Sequence, residues 1–198
     1  MPRRLRTDAP GSIHHVTARG NNRNPIVVDD ADRMTLLRRL RAVAERTSLV
    51  VHAYCVMDNH LHAVVQPSSA TLGTSMRLLL GGYAHGFNKR HGRTGHVFEG
   101  PYDERPVRGE RYLIAACVYV VLNPVRAGVC VHPSEWRWSS YRTTAGLEPR
   151  PVVAVSDVVL GSFGARKGAA RRAFAALVER EAANGRRMPS TGRTAGSG

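Results

Sequence analysis

Two histidines, His60 and His62, stand two residues apart in the apolar run LVVHAYCVMDNHLHAVVQ, Leu49 to Gln66. Side chains at i and i+2 of a strand share a face, so His60, His62 and Val64 fall on one side and Leu61, Ala63 and Val65 on the other. Two imidazoles pointing the same way can share a metal ion, although partly exposed strand histidines show the same pattern. Further along, Tyr119 and Asn123 are four residues apart, which places a phenol and an amide at or near one helical face. Two polar, basic stretches complete the set. One holds Arg19, Asn21, Asn22 and Arg23, and the other Lys89, Arg90, Arg93 and His96. Guanidinium and ammonium groups in loops suit nucleic-acid backbone contact, and solvated connections have the same composition.

The elements that must position these residues can be read from periodicity. Gly11 to Arg19 alternates as a first strand, with Ile13, His15 and Thr17 on one face. Asp29, Asp30 or Asp32 caps a helix to about Thr47, and Asp58-Asn59 turns a hairpin. A second helix runs from about Leu72 to Lys89, and close approach of a neighbouring backbone would explain Gly81-Gly82 in its middle. Tyr102 to Val107 forms a strand that Pro106 confines to a sheet edge. Strand, helix, strand, strand, helix, strand is the order of an α+β, ferredoxin-like antiparallel sheet with helices on one face. Its first strand and second hairpin strand are central. Glu110 to about Leu122 forms the next helix, and Pro124 biases Asn123 away from helical geometry. Trp136, Trp138 and Tyr141 form an aromatic cluster in which packing competes with base stacking, and the tryptophans are assigned to packing.

This order divides the chain into a basic lead-in (1–10), a main domain (11–146), a helical extension (147–183) and a disordered tail (184–198). With 198 residues and 42% apolar content the chain can bury a sizeable core. Its 29 Lys+Arg against 15 Asp+Glu, a net charge of +14, predict a polyanionic partner. No apolar run is long enough to span a bilayer and the start lacks the apolar centre of a signal peptide, so a cytoplasmic location is expected. Cys55, Cys117 and Cys130 sit in apolar contexts without zinc spacing and read as reduced core residues.

HVTARGNNR, MDNHLH, FNKRHGRTGHVFEGPY, YVVLNPVRAGV and WSSY occur in an order that resembles the single-tyrosine HUH transposases, in particular their REP-associated branch. The resemblance covers about Gly11 to Gly146. It implies an HUH fold that cuts single-stranded DNA next to hairpins of repetitive palindromic elements, using Mg2+ or Mn2+. By the same resemblance Tyr119 is the nucleophile, and His60, His62 and Asn123 are the metal ligands. Insertion-sequence relatives usually carry glutamine at the position of Asn123. A phenol, with an ordinary pKa of about 10, is mostly neutral at pH 7, so its attack on phosphate requires the phosphate to be polarised. The resemblance leaves monomer and homodimer open. Two rival readings stand beside it: a non-catalytic single-stranded nucleic-acid-binding module on the same fold, and a zinc hydrolase that adds His96 to the histidine pair.

Overall fold

The computed structural model describes residues 11–68 and 71–187, the last three as backbone only. Four strands, β1 (Ile13–Arg19), β2 (Val50–Val56), β3 (His60–Gln66) and β4 (Asp103–Val107), form one antiparallel sheet in the order β2-β3-β1-β4. β1 and β3 are therefore central and the proline-bearing β4 is an edge, as the sequence predicts.

Alternation along the strands gives the sheet two different faces. Val16, Ala18, Leu61, Ala63 and Val65 point to α1 (Asp30–Thr47) and α2 (Leu72–His91), where they meet Leu36, Leu40, Met76, Leu79, Tyr83 and Phe87. The side chain of Asp29 caps α1, accepting from the Asp32 N–H at 3.0 Å, and Thr71 caps α2. Burial of one such aliphatic side chain contributes about 1.5–3 kcal/mol, which outweighs the cost of about 1 kcal/mol for each glycine inside α2. The glycine pair has a different cause from the one expected. A Cβ at Gly82 would lie 1.4 Å from Nη2 of Arg39, whose Nε donates to the Leu78 carbonyl, whereas nothing stands within 4 Å of a Cβ at Gly81. A guanidinium, not a backbone, approaches there.

Ala53, Cys55 and Val64 face the opposite way and pack on α3 (Glu110–Val121), with Phe174 and Val178 of α7 (Lys167–Arg187) behind it. The expected placement of helices on one face holds for α1 and α2, and α3 adds cover on the second face. A segment leading to α7 runs along β2, where the Ser156 N–H donates to the Val51 carbonyl at 2.8 Å. The residues expected as a helical extension thus share both core clusters with the sheet. α7 continues through 184–187, four residues beyond the helix end expected near Ala183; the remainder of the tail and the lead-in lie outside the described residues.

The break expected at Asn123 falls one residue earlier. Leu122 closes α3, and Asn123 begins a short α4 (Asn123–Arg126) with Pro124 in its first turn, where a missing N–H leaves no intrahelical bond unmade. Trp138 is buried and the Trp136 indole donates to the Val56 carbonyl, so the tryptophans pack as expected. Cys55 and Cys117 are buried free thiols, and burial pushes the Cys117 thiol up to about 12. Cys130, also free, is only half-buried.

Candidate active site

The register between β1 and β3 puts Thr17 opposite His62 and Arg19 opposite His60. His15, Thr17, His60 and His62 consequently share the face that carries α3. Nδ1 of His62 lies 2.9 Å from Thr17 Oγ1 and 3.1 Å from His15 Nε2. The rings of His60 and His62 are 4.8 Å apart between centroids and nearly perpendicular. Nδ1 of His60 is held at 2.7 Å by Oδ1 of Asn59, the second residue of the hairpin turn.

α3 ends over this cluster because its apolar residues pack on β2 and β3, leaving Tyr119 at the margin of the cover. The Tyr119 ring stands edge-on at 5.6 Å from His15 and 5.8 Å from His62, and the residue is 42% exposed. One turn on, Asn123 Nδ2 donates to the Tyr119 carbonyl at 3.1 Å, and the Asn123 side chain lies near enough to His60 to favour its protonated form. The guanidinium carbon of Arg126 sits 4.7 Å from the Tyr119 ring centroid. A cleft of about 570 Å³ opens here, lined by His15, Thr17, Arg19, His62, Asp103, Glu104, Arg105 and Tyr119.

Burial is the first cause that holds the histidines neutral. It takes His62 down to about 3, with His60, His15 and Arg19 adding in the same direction. His60 is lowered by burial, with Asn123 opposing, and His15 by burial and then by Arg105. A neutral imidazole has a free ring nitrogen and adds no positive charge of its own to repel an ion. With the Asn123 amide, His60 and His62 form a donor set that fits one divalent cation. Among the described residues no group of three or more His, Cys, Asp or Glu is placed to hold a metal. His96 does not join the pair; it lines a separate groove beside α2. That removes His96 as the third ligand of the zinc-hydrolase reading.

The two basic loops form one surface. The Asn21 N–H donates to Val97 O and the Glu99 N–H to Arg19 O, so both are tied down by backbone bonds rather than free-standing. Asn22 and Arg23 adopt left-handed backbone, at φ 52° and 59°, which turns the chain sharply and leaves both side chains exposed. Lys89, in the last turn of α2, and Arg93 and His96, in the segment after it, are exposed on the other side of this surface, with Arg93 over the Phe87 ring. Arg90 differs: its guanidinium is held by Asp29 and Asp32 and joins the ends of α1 and α2. His15, Thr17, Arg105 and Arg126 were not assigned from sequence. The alternation of β1 already put His15 and Thr17 on one face; the missing step was which strand lies beside it.

Residues 10–121 match the family model described as "Transposase IS200 like", more than half of the chain. The chain belongs to the IS200-like transposase family. Members of this family are enzymes. No curated protein matches this transposase. Among solved structures it resembles a REP-associated tyrosine transposase bound to a REP hairpin, with TM-score 0.61 and 18% identity over 84% of this chain and 98% of the other. A second, a candidate transposase from Deinococcus radiodurans, gives TM-score 0.42 and 19% identity over 56% and 89%. The first likeness supports the fold described above. No helix among the described residues of the transposase is long and apolar enough to cross a membrane.

Proposed function

We propose that this transposase nicks and rejoins single-stranded DNA beside a hairpin through a 5′-phosphotyrosine on Tyr119. The observation that carries the reading is the convergence of the half-exposed Tyr119 phenol and His62 in one cleft with Arg19 and Arg105, with the His60 ring against His62 and the Asn123 amide on the Tyr119 carbonyl. Tyr119 Oη attacks the scissile phosphorus; the Oη–P bond forms, the P–O3′ bond breaks, the phenolic proton leaves to solvent and the 3′-oxygen takes a proton. The phosphodiester energy is kept in the Tyr119–P bond, so a 3′-hydroxyl can reverse the step without ATP. His60, His62 and Asn123 would hold Mg2+ or Mn2+, whose Lewis acidity polarises the phosphate. Thr17 and His15 fix the His62 ring through Nδ1, leaving Nε2 for the ion, while Asn59 fixes His60. His60, His62 and Asn123 include no carboxylate, so they would make a weak set, suited to binding the ion together with the DNA phosphate.

The hairpin partner is supported by the REP hairpin bound to the structural neighbour and by the basic surface formed by Arg23, Lys89 and Arg93. It also favours the REP-associated branch for this chain. Labelled single-stranded DNA carrying a palindromic hairpin, incubated with manganese, should leave a covalent adduct whose peptide contains Tyr119. Hairpin binding without an adduct in any divalent metal would support the non-catalytic binding module instead.

A further inference from the structure

The short α4 that follows α3 carries a polar group, Arg126, that the nicking reaction above leaves without a role. Tyr119, Asn123 and Arg126 are spaced i, i+4 and i+7, about 400° and 700° around a helix, so they form one stripe. The stripe survives the break at Leu122 because Arg126 N–H still donates to Leu122 O at 2.9 Å and Ala127 N–H to Asn123 O at 2.9 Å. Pro124 is buried and anchors the short α4 beneath it. Arg126 is thereby brought over the Tyr119 ring at 4.7 Å, inside the cation–π range of about 6 Å. In none of the described ion pairs is Arg126 a member, in contrast to Arg33 and Arg90, which are held by aspartates.

Taking Tyr119 as the nucleophile, we propose that Arg126 positions its ring and donates an N–H to a nonbridging oxygen of the phosphoryl group transferred to Tyr119. The cations that line the cleft, Arg19 and Arg105, come from β1 and β4. Arg126 comes from the rod that bears the nucleophile and so accompanies the phosphotyrosine while the 3′-end departs. It stays protonated throughout: no proton is transferred, and the two negative nonbridging oxygens gain a fixed donor in the transition state. A planar guanidinium can lie over an aromatic ring and bond phosphate at its edge, which an ammonium does less well.

The test measures single-turnover adduct formation for the full chain and its R126A and R126K variants on hairpin DNA. Affinity is measured separately in a Tyr119→Phe background. We expect R126A to slow adduct formation about 10²-fold. R126K should recover part of that loss, and affinity should change less than about 3-fold because many cations share the backbone. A methylphosphonate at the scissile position removes the oxygen charge. With one of its two stereoisomers the gap between wild type and R126A should close to within about 3-fold, as expected for a lost charge-assisted bond. A ring-positioning role alone would leave the gap unchanged and would overturn the phosphoryl contact. An R126A rate equal to wild type overturns the whole proposal. The wild-type adduct is the control for the underlying reading: its absence removes both, whereas its presence with an unaffected R126A removes only this one.

Discussion

The two faces of the central strands are built from alternate residues of the same short segments, yet they do opposite things. On one, Val16, Ala18, Leu61, Ala63 and Val65 are sealed under α1 and α2. On the other, His15, Thr17, His60 and His62 lie partly beyond the cover of α3, which packs chiefly on Ala53, Cys55 and Val64. The closed face supplies stability and does not need polar partners. The open face keeps polar side chains near water but dry enough that their histidines stay neutral. A single turn of pleat, with one residue's shift, would exchange the two, which is why the register between β1 and β3 matters so much.

The largest effect that could break this comparison is loss of the nucleophile. Tyr119→Phe should reduce adduct formation by about 10⁴-fold or more while hairpin affinity holds, because only the attacking oxygen is removed. Mass spectrometry of the DNA-linked peptide checks it. An adduct on Tyr83 would contradict the partition directly, since Tyr83 is 2% exposed and its hydroxyl bonds the Ile26 carbonyl on the closed side. Tyr112 is freely exposed but sits at the start of α3, two turns before Tyr119.

Next, the same strand should separate chemistry from stability. Replacing both His60 and His62 by alanine should cost at least about 10²-fold in cleavage. Leu61→Ala, between them, should cost about 2–5 kcal/mol in unfolding free energy and leave the cleavage rate per folded molecule close to normal. Denaturant melts and single-turnover assays on the two variants would show whether the faces are as independent as the pleat implies.

A smaller, graded effect concerns pH. His15, His52, His60 and His62 all have folded pKa values below the ordinary 6.5, burial being the first cause in each. Between the two values the unfolded chain binds more protons. Stability without added metal is therefore full above about pH 6.5 and falls as pH drops toward the folded values, about 3 for His62. The slope is up to about 1.4 kcal/mol per pH unit for each histidine. A melting temperature unchanged between neutral pH and pH 5 would contradict the burial of these rings.

The smallest effects belong to the basic loops. Arg23→Ala and Arg93→Ala should each lower the salt slope of hairpin binding by about 1, read by anisotropy across a salt series. Arg90→Ala should leave that slope nearly unchanged and instead lower the melting temperature, because Asp29 and Asp32 lose their shared cation.

Periodicity made the closed face legible: apolar spacing located both helices and the central strands, and Pro106 the edge position of β4. The spacing of His60 and His62, and of Tyr119 and Asn123, depends only on local geometry, so these pairs could be placed before any tertiary contact was known. Arg90 could not be told from Arg93 by type or neighbourhood. What separates them is that the capped start of α1 lies against the end of α2, which puts two aspartates beside one arginine and none beside the other. In the same way, nothing local joins His15 and Thr17 to His62, which lie 47 and 45 residues away in the chain. Strand periodicity assigns a side chain to a face, while pairing and register, fixed by burying the whole apolar set at once, decide which side chains on that face meet.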